Sequence, residues 1–249
     1  MRDCLGARDS TPRLPRLSRF LGLHPLTPAA RSLYRRALTQ RAVAELLEEL
    51  GVRWDILHGV PCPQGGPQLD HLVIGPAGVF VIRGFDFRAA DVWVNEEGLR
   101  AGGRKHPLAD LIAQATSAAQ WLETATGLQP AARAVAVVLE PAKIWTKRDS
   151  DAVAVVTGKA LVTWLLGQPQ VLSGAEVAML SDAADRPTTW DTAGLDLGAE
   201  IDLSTRFDAL RAEVESAARR RKVWGISGVV AAAAMAWAGA FGIVLIQIS

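Results

Sequence analysis

An uncharged run from Val223 to Ile246 constrains this chain more than any other feature of its sequence. About 20 apolar residues, each rising ~1.5 Å in a helix, are needed to cross the ~30 Å hydrocarbon core of a bilayer. The run is long enough, and Trp224 lies at one end, where interfacial aromatic side chains are common. The sequence therefore predicts one C-terminal transmembrane helix over residues 223–248.

The orientation of this predicted helix follows from the basic cluster at 219–222, which directly precedes it. Lys and Arg beside a membrane helix stay on the cytoplasmic side. We therefore expect a single-pass protein of the cytoplasmic membrane whose N-terminal part lies in the cytoplasm.

The apolar run also carries a small residue at every fourth position, a spacing that lets a second helix pack closely. These residues are Gly228, Ala232, Ala236 and Ala240. The stripe favours self-association between helices, although an Ala-rich helix that packs against nothing would have the same pattern.

The net charge and the cysteine content of the chain give no support to several classes of protein. The formal net charge of +1 gives no indication of nucleic-acid binding from bulk charge. Cys4 and Cys62 are far apart, which predicts neither a disulfide framework nor a zinc site. The basic residues are mainly arginine, and Ala and Gly are frequent, as is typical of a GC-rich bacterial genome.

Residues 1–36 are rich in Arg and Pro and lack a sustained apolar period. We expect a basic, flexible N-terminal arm here, with contact to anionic lipid or nucleic acid as the alternative. The predicted domain organisation is this arm, an α/β domain over 37–185, a linker with a charged juxtamembrane helix over 186–222, and the membrane helix.

Within the α/β domain, apolar periodicity predicts a helix over 32–50 and a strand over 54–60. Strands at 68–74 and 79–85, joined by the tight turn Gly75-Pro76-Ala77-Gly78, predict an antiparallel hairpin. Farther along, predicted strands alternate with predicted helices, which favours a mixed sheet covered by helices. These strands are at 91–94, 134–139 and 152–156, and the helices are at 107–126, from Gly158 to Leu166, and at 173–184.

The hairpin carries the most specific motif: the pair Asp70-His71, the Gly-Pro-x-Gly turn, and then Val-Phe-Val-Ile at 79–82. With the helix around 43–50 and the pair Leu57-His58, it resembles the nuclease-related domain, or NERD, family over roughly residues 37–185. The resemblance implies a restriction-endonuclease-like mixed sheet flanked by helices.

The resemblance also implies a catalytic site with a helix Glu, a strand Asp and a Glu-x-Lys on the next strand. Such carboxylates hold Mg²⁺, which helps to form the attacking hydroxide and stabilises charge on the phosphate. In this sequence Asp70 matches the strand Asp and is the one retained catalytic and metal position. The helix Glu falls on Gln40, and the Glu and Lys of Glu-x-Lys fall on Arg83 and Phe85.

These replacements predict that the site has lost its chemistry. Arg83 brings a positive charge to a place where a cation should bind, and Phe85 can neither donate a hydrogen bond nor transfer a proton. Asp70 is free instead to form an ion pair with Arg83. No other cofactor is indicated, and Mg²⁺ is expected only if the protein is an active nuclease.

Three other side chains could substitute for the lost ones. Asp86 is next to Phe85 but should point to the opposite face of the strand, and Lys105 and Asp110 lie near the following helix and would have to move towards the site. The histidines at 58, 71 and 106 show no metal-ligand spacing, and His71 is interpreted as structural because it alternates away from the Asp70 face.

The sequence leaves three hypotheses. The first is a membrane-anchored, non-catalytic NERD-like module that binds a protein or nucleic-acid partner at the cytoplasmic membrane face. The second is an active metal-dependent nuclease with a rearranged site. The third is a structural membrane protein that assembles through its small-residue stripe.

Overall fold

The computed structural model describes residues 2–10, 15, 18, 20–21, 23–61, 68–95, 98–146, 152–190, 205–222 and 224. The chain divides into two compact units. One consists of Met1–Tyr34 with Asp196–Ser249, and the other is Arg35–Leu195. The second unit contains both sheets.

The nine strands and six of the helical segments among the described residues are numbered in chain order. The strands are β1 (Asp55–Val60), β2 (Leu69–Gly75), β3 (Gly78–Asp86), β4 (Asp91–Asn95), β5 (Gly98–Ala101), β6 (Arg104–Pro107), β7 (Ala132–Leu139), β8 (Lys143–Thr146) and β9 (Val153–Thr157). The helices are α1 (Arg2–Asp9), α2 (Pro28–Leu47), α3 (Ala109–Thr126), α4 (Leu161–Leu166), α5 (Gly174–Ala184) and α6 (205–222). Short 3₁₀ turns cover Gly158–Ala160 and Pro187–Trp190.

The larger sheet has the order β1-β2-β3-β7-β9. Strands β1, β2 and β3 are antiparallel, as the hairpin motif predicts, whereas β7 and β9 run parallel to β3. The parallel connection from β3 to β7 passes through α3, as is usual for parallel strands, whereas the described part of the connection from β7 to β9 contains strand β8. The prediction of an α/β fold with a mixed sheet flanked by helices is therefore confirmed.

Both faces of this sheet are covered, so β2 is buried along its whole length. Val79 and Val81 of β3 belong to an apolar cluster with α3 and α5. Phe80 and Ile82 point to the other face and belong to a cluster with α2 and α4. Alternation along β3 therefore divides the core into two layers.

The smaller sheet has the order β6-β5-β4-β8, with β8 parallel to β4. One face is buried in the core through Val92, Val94, Leu99 and Ala101. The opposite face is exposed, as the alternating pattern of β4 shows. Strand β4 was predicted, whereas β5, β6 and β8 were not.

The structure describes helical segments within residues 1–36, for which the sequence predicts a basic, flexible arm. Helix α1 occupies Arg2–Asp9, and α2 begins at Pro28. Cys4 and Leu5 are buried, and Arg8 forms an ion pair with Glu213 of α6. Glu213, the ion-pair partner of Arg8, lies some two hundred positions away in the chain. The local sequence of residues 1–36 therefore gives no indication of this contact.

Among the residues that the structure describes, no helix is both long and apolar enough to cross a membrane. The predicted transmembrane segment, 223–248, falls outside those residues except for Trp224. The stripe of Gly228, Ala232, Ala236 and Ala240 likewise falls outside them.

Candidate functional site

Asp70 lies at the start of β2, where the hairpin brings it beside β3. His71 pairs with Ile82 in the ladder, so the next position places Asp70 beside Arg83. The Asp70 side chain is only 2% exposed. A buried carboxylate needs compensating charge or hydrogen bonds, because leaving it unpaired in a low-dielectric interior is very costly.

Helix α2 supplies two donors to the same carboxylate oxygen. Arg36 Nη2 donates to Asp70 Oδ1 at 2.8 Å, and Gln40 Nε2 donates to it at 2.7 Å. Residues four apart on a helix lie on one face, so both side chains reach the carboxylate together. Sequence analysis missed Arg36, although its i, i+4 spacing to Gln40 was a usable signal.

Strand β3 supplies the second guanidinium. Arg83 Nε lies 3.8 Å from Asp70 Oδ2, and Arg83 Nη2 donates to Gln114 Oε1 of α3 at 2.7 Å. The ion pair between Asp70 and Arg83 that the sequence predicts is present. Gln114 is itself buried, so it holds the guanidinium in place beside the carboxylate.

Phe85, the fourth position named by the resemblance, shares the β3 face of Arg83 but makes aromatic contacts instead. Its ring stacks on Phe87 with centroids 6.0 Å apart and meets His106 edge-on at 6.5 Å. The structure thus brings Gln40, Asp70 and Arg83 together around one carboxylate, while Phe85 belongs to a neighbouring aromatic cluster.

The three side chains that could substitute for the lost site residues lie away from Asp70. Asp86 pairs with Arg88 at 3.4 Å. Lys105 is exposed on β6, and Asp110 is exposed at the start of α3. In the described parts of the chain, no group of three or more His, Cys, Asp or Glu side chains is placed to hold a metal ion.

His71 lies on the opposite face of β2 and is buried. Its Nδ1 is 2.7 Å from Nδ1 of His58 on β1, so one ring donates a hydrogen bond to the other. Burial, followed by the nearby His58, lowers the pKa of His71 to about 4, against the opposing effects of Asp70 and the Gln40 backbone. His71 is therefore neutral at physiological pH and serves as a structural residue of the hairpin.

The chemistry of the Asp70 cluster differs from that of a metal site. Mg²⁺ is bound by carboxylates, waters and phosphate oxygens in octahedral geometry. Here one carboxylate is surrounded by two guanidinium groups and an amide donor. The local charge is positive and Oδ1 already accepts two hydrogen bonds, so the residues present do not suit a divalent cation.

The fold and the cluster define a mixed α/β domain with one buried carboxylate, paired with two guanidinium groups, at the end of a central hairpin. Residues 35–139 match the family model of the nuclease-related domain, NERD. The match contains the hairpin, α3, β7 and most of α2. It also contains β4, β5 and β6 of the smaller sheet, but not β8. Comparison with curated proteins and with solved structures gave no significant match.

Proposed function

We propose that this protein is a non-catalytic nuclease-related module, anchored in the cytoplasmic membrane, that acts by binding a protein or nucleic-acid partner. The scaffold would be that of a restriction-endonuclease-like domain. The observation that carries the proposal is the engagement of Asp70 by Arg36, Gln40 and Arg83.

The loss of cleavage follows from what metal-assisted hydrolysis requires. A metal ion must be held where it can generate the nucleophile and stabilise negative charge on the phosphate. Two carboxylates expected from the family are replaced by Gln40 and Arg83, and Phe85 replaces the lysine. The remaining carboxylate would have to exchange its two cations for Mg²⁺, against the repulsion of both guanidinium groups.

Membrane anchoring is supported by the sequence, through the uncharged run at 223–246 and the basic cluster before it. The anchor would place the α/β domain in the cytoplasm, where a partner could be concentrated near the membrane.

The test is a cleavage assay on the purified full chain in detergent. Plasmid DNA and labelled DNA and RNA oligonucleotides are incubated over a concentration series of Mg²⁺ and Mn²⁺, beside Asp70→Ala. We expect no metal-dependent cutting by either protein. Cutting that requires metal and disappears in Asp70→Ala would show instead that the protein is an active nuclease with a rearranged site.

A matched gain-of-function comparison uses the same assay. The triple variant Gln40→Glu, Arg83→Glu and Phe85→Lys restores the residue types of the family at the degenerate positions. Any metal-dependent cutting by this variant, absent from the natural sequence, would locate the loss of activity at these residues.

A further inference from the structure

The exposed face of the smaller sheet carries a continuous row of basic and aromatic side chains. Arg100 pairs with Lys105 across β5 and β6, and with Trp93 across β5 and β4. Trp93 in turn pairs with Trp145 across β4 and β8. The order along the sheet is therefore Lys105, Arg100, Trp93, Trp145, one residue from each of its four strands.

The two indole rings of this row do not serve the core. Trp93 is 48% exposed and Trp145 is 52% exposed, although both neighbours of Trp93 on β4 are buried on the other face. The two residues are paired on neighbouring strands, so both rings lie on the same surface of the sheet. Large aromatic side chains held at the surface of a rigid element are typical of interaction sites.

The rings border a surface depression of about 720 Å³, which is also lined by Arg100, Asn95 and Thr146. A second, smaller depression next to it is lined by Arg100 and Lys105. The concave shape beside the rings offers room for a planar group to stack, with cationic side chains at one side.

The charge of this face is positive in the described part of the chain. Arg100, Lys105 and Lys143 are exposed on it, together with Asp91, which is opposite Lys143 in the ladder. Lys143 Nζ lies 6.0 Å from the centroid of the Trp145 ring. Cationic groups that flank aromatic faces can bind phosphates while the rings stack on bases.

We propose that this face of β4, β5, β6 and β8, named here the tryptophan face, binds single-stranded nucleic acid. Stacking requires bases that are free of a duplex, because paired bases expose only their edges in the grooves. The sugar–phosphate backbone of the bound strand would run along the row of side chains toward Arg100 and Lys105. The inference rests on the proposed function, in which the domain acts by binding, but uses residues separate from the Asp70 cluster.

The test is fluorescence anisotropy of labelled oligo(dT) and oligo(rU) with the full chain in detergent. Base stacking by one aromatic residue is worth roughly 5- to 150-fold in affinity. We therefore expect Trp93→Ala and Trp145→Ala each to weaken binding about 5-fold or more. Trp93→Phe and Trp145→Phe keep an aromatic face and should retain most of the affinity.

The contribution of the basic side chains to oligonucleotide binding can be tested with a matched control. Arg100→Ala with Lys105→Ala should weaken binding and lower its salt dependence, because fewer counterions are released. Arg53→Ala with Lys159→Ala removes the same charge from exposed positions outside the tryptophan face and should have a smaller effect. Circular dichroism verifies that every variant is folded.

Absence of oligonucleotide binding, or equal binding by the phenylalanine and alanine variants, would overturn the proposal. Binding to anionic vesicles that depends on Trp93 and Trp145, without such dependence for oligonucleotides, would also overturn it and identify a membrane-binding face. These outcomes are independent of the cleavage assay, since the proposed lack of catalysis fails only through metal-dependent cutting that requires Asp70.

Discussion

Asp70 is the residue on which the account of this domain depends. Its side chain is buried, and both of its oxygens face cationic or amide donors. Removing one partner of a buried charge is costly mainly because the remaining charge is left uncompensated. The two arginines come from different elements, α2 and β3, so each is expected to compensate partly for the loss of the other.

This redundancy predicts that the effects of replacing Arg36 and Arg83 on the free energy of unfolding are strongly non-additive. Arg36→Ala or Arg83→Ala alone should lower the free energy of unfolding by about 1 kcal/mol, the usual effect of a lost hydrogen bond. The double variant should lose roughly 3–5 kcal/mol, because the carboxylate is then buried without a cation. Urea unfolding of the four proteins gives the coupling free energy.

The control for this cycle is the same set of variants in an Asp70→Asn background. With no negative charge to compensate, the excess cost of the double variant should vanish. An additive result in the natural background would mean that the two guanidinium groups do not share the neutralisation of Asp70.

His71 predicts a pH dependence of stability. Its folded pKa of about 4 lies below the value of about 6.5 for an unperturbed histidine. Between these values the unfolded state binds more protons than the folded state, so stability rises with pH and is lost as pH falls from about 6.5 to about 4. The loss should be about 1–3 kcal/mol.

The measurement is urea unfolding at several pH values for the natural chain and His71→Leu, which has no titrating group at this position. The natural chain should show the steeper slope in this window. His24→Asn serves as a control on the general effect of removing a histidine. Equal slopes for the natural chain and His71→Leu would mean that His71 does not have the depressed pKa.

At the scale of side chains, the sequence allowed part of the site to be predicted. Asp70 and Arg83 follow from the hairpin, because strand alternation and a tight turn fix which side chains face each other. The second guanidinium was missed because the approach of α2 to β2 is a tertiary feature. The tryptophan face was missed for a similar reason, although the alternation of apolar and other residues along β4 indicates that Trp93 points away from Val92 and Val94.

The packing of α2 against β3 positions the donors to Asp70. A Cβ atom at Gly84 would lie 2.6 Å from Thr39 Cγ2 and 2.8 Å from Val43 Cγ2. These separations are too short for carbon atoms, so only glycine permits this approach of the helix. The same approach brings Gln40, the neighbour of Thr39 in sequence, to the carboxylate.

Gly84→Ala should therefore destabilise the domain by about 1–3 kcal/mol through overpacking. Thr39→Ser removes the nearest methyl group and should restore part of that loss in the double variant. Gly174→Ala is the control, because a Cβ there meets no atom within 4 Å. Equal unfolding midpoints for Gly84→Ala and Gly174→Ala would contradict the close approach of α2.

The elements differ in how far the sequence predicts them. The hairpin and α5 have strong local signals, and Ser173 forms the capping box with Glu176 that its position favours. Strands β5, β6 and β8 have four residues each, too few for alternation to be recognised. Strand β8 also pairs with β4, some fifty positions earlier, so this partner is distant in sequence.

For the molecule as a whole, the proposed anchor predicts a defined topology. Protease added to intact spheroplasts should leave residues 1–222 uncut, because the basic cluster at 219–222 holds the domain inside. Protease added after lysis should digest it. A chain that lacks residues 223–249 should be recovered without detergent. Digestion of the domain in intact spheroplasts would contradict the predicted orientation.

The central claim is that the Asp70 cluster is an ion-pair cluster and not a metal site. Mn²⁺ binding, followed by electron paramagnetic resonance in the natural chain and in Asp70→Ala, tests this most directly because it needs no substrate. We predict the same weak, non-stoichiometric binding in both proteins. One equivalent of Mn²⁺ bound by the natural chain and lost in Asp70→Ala would contradict the claim.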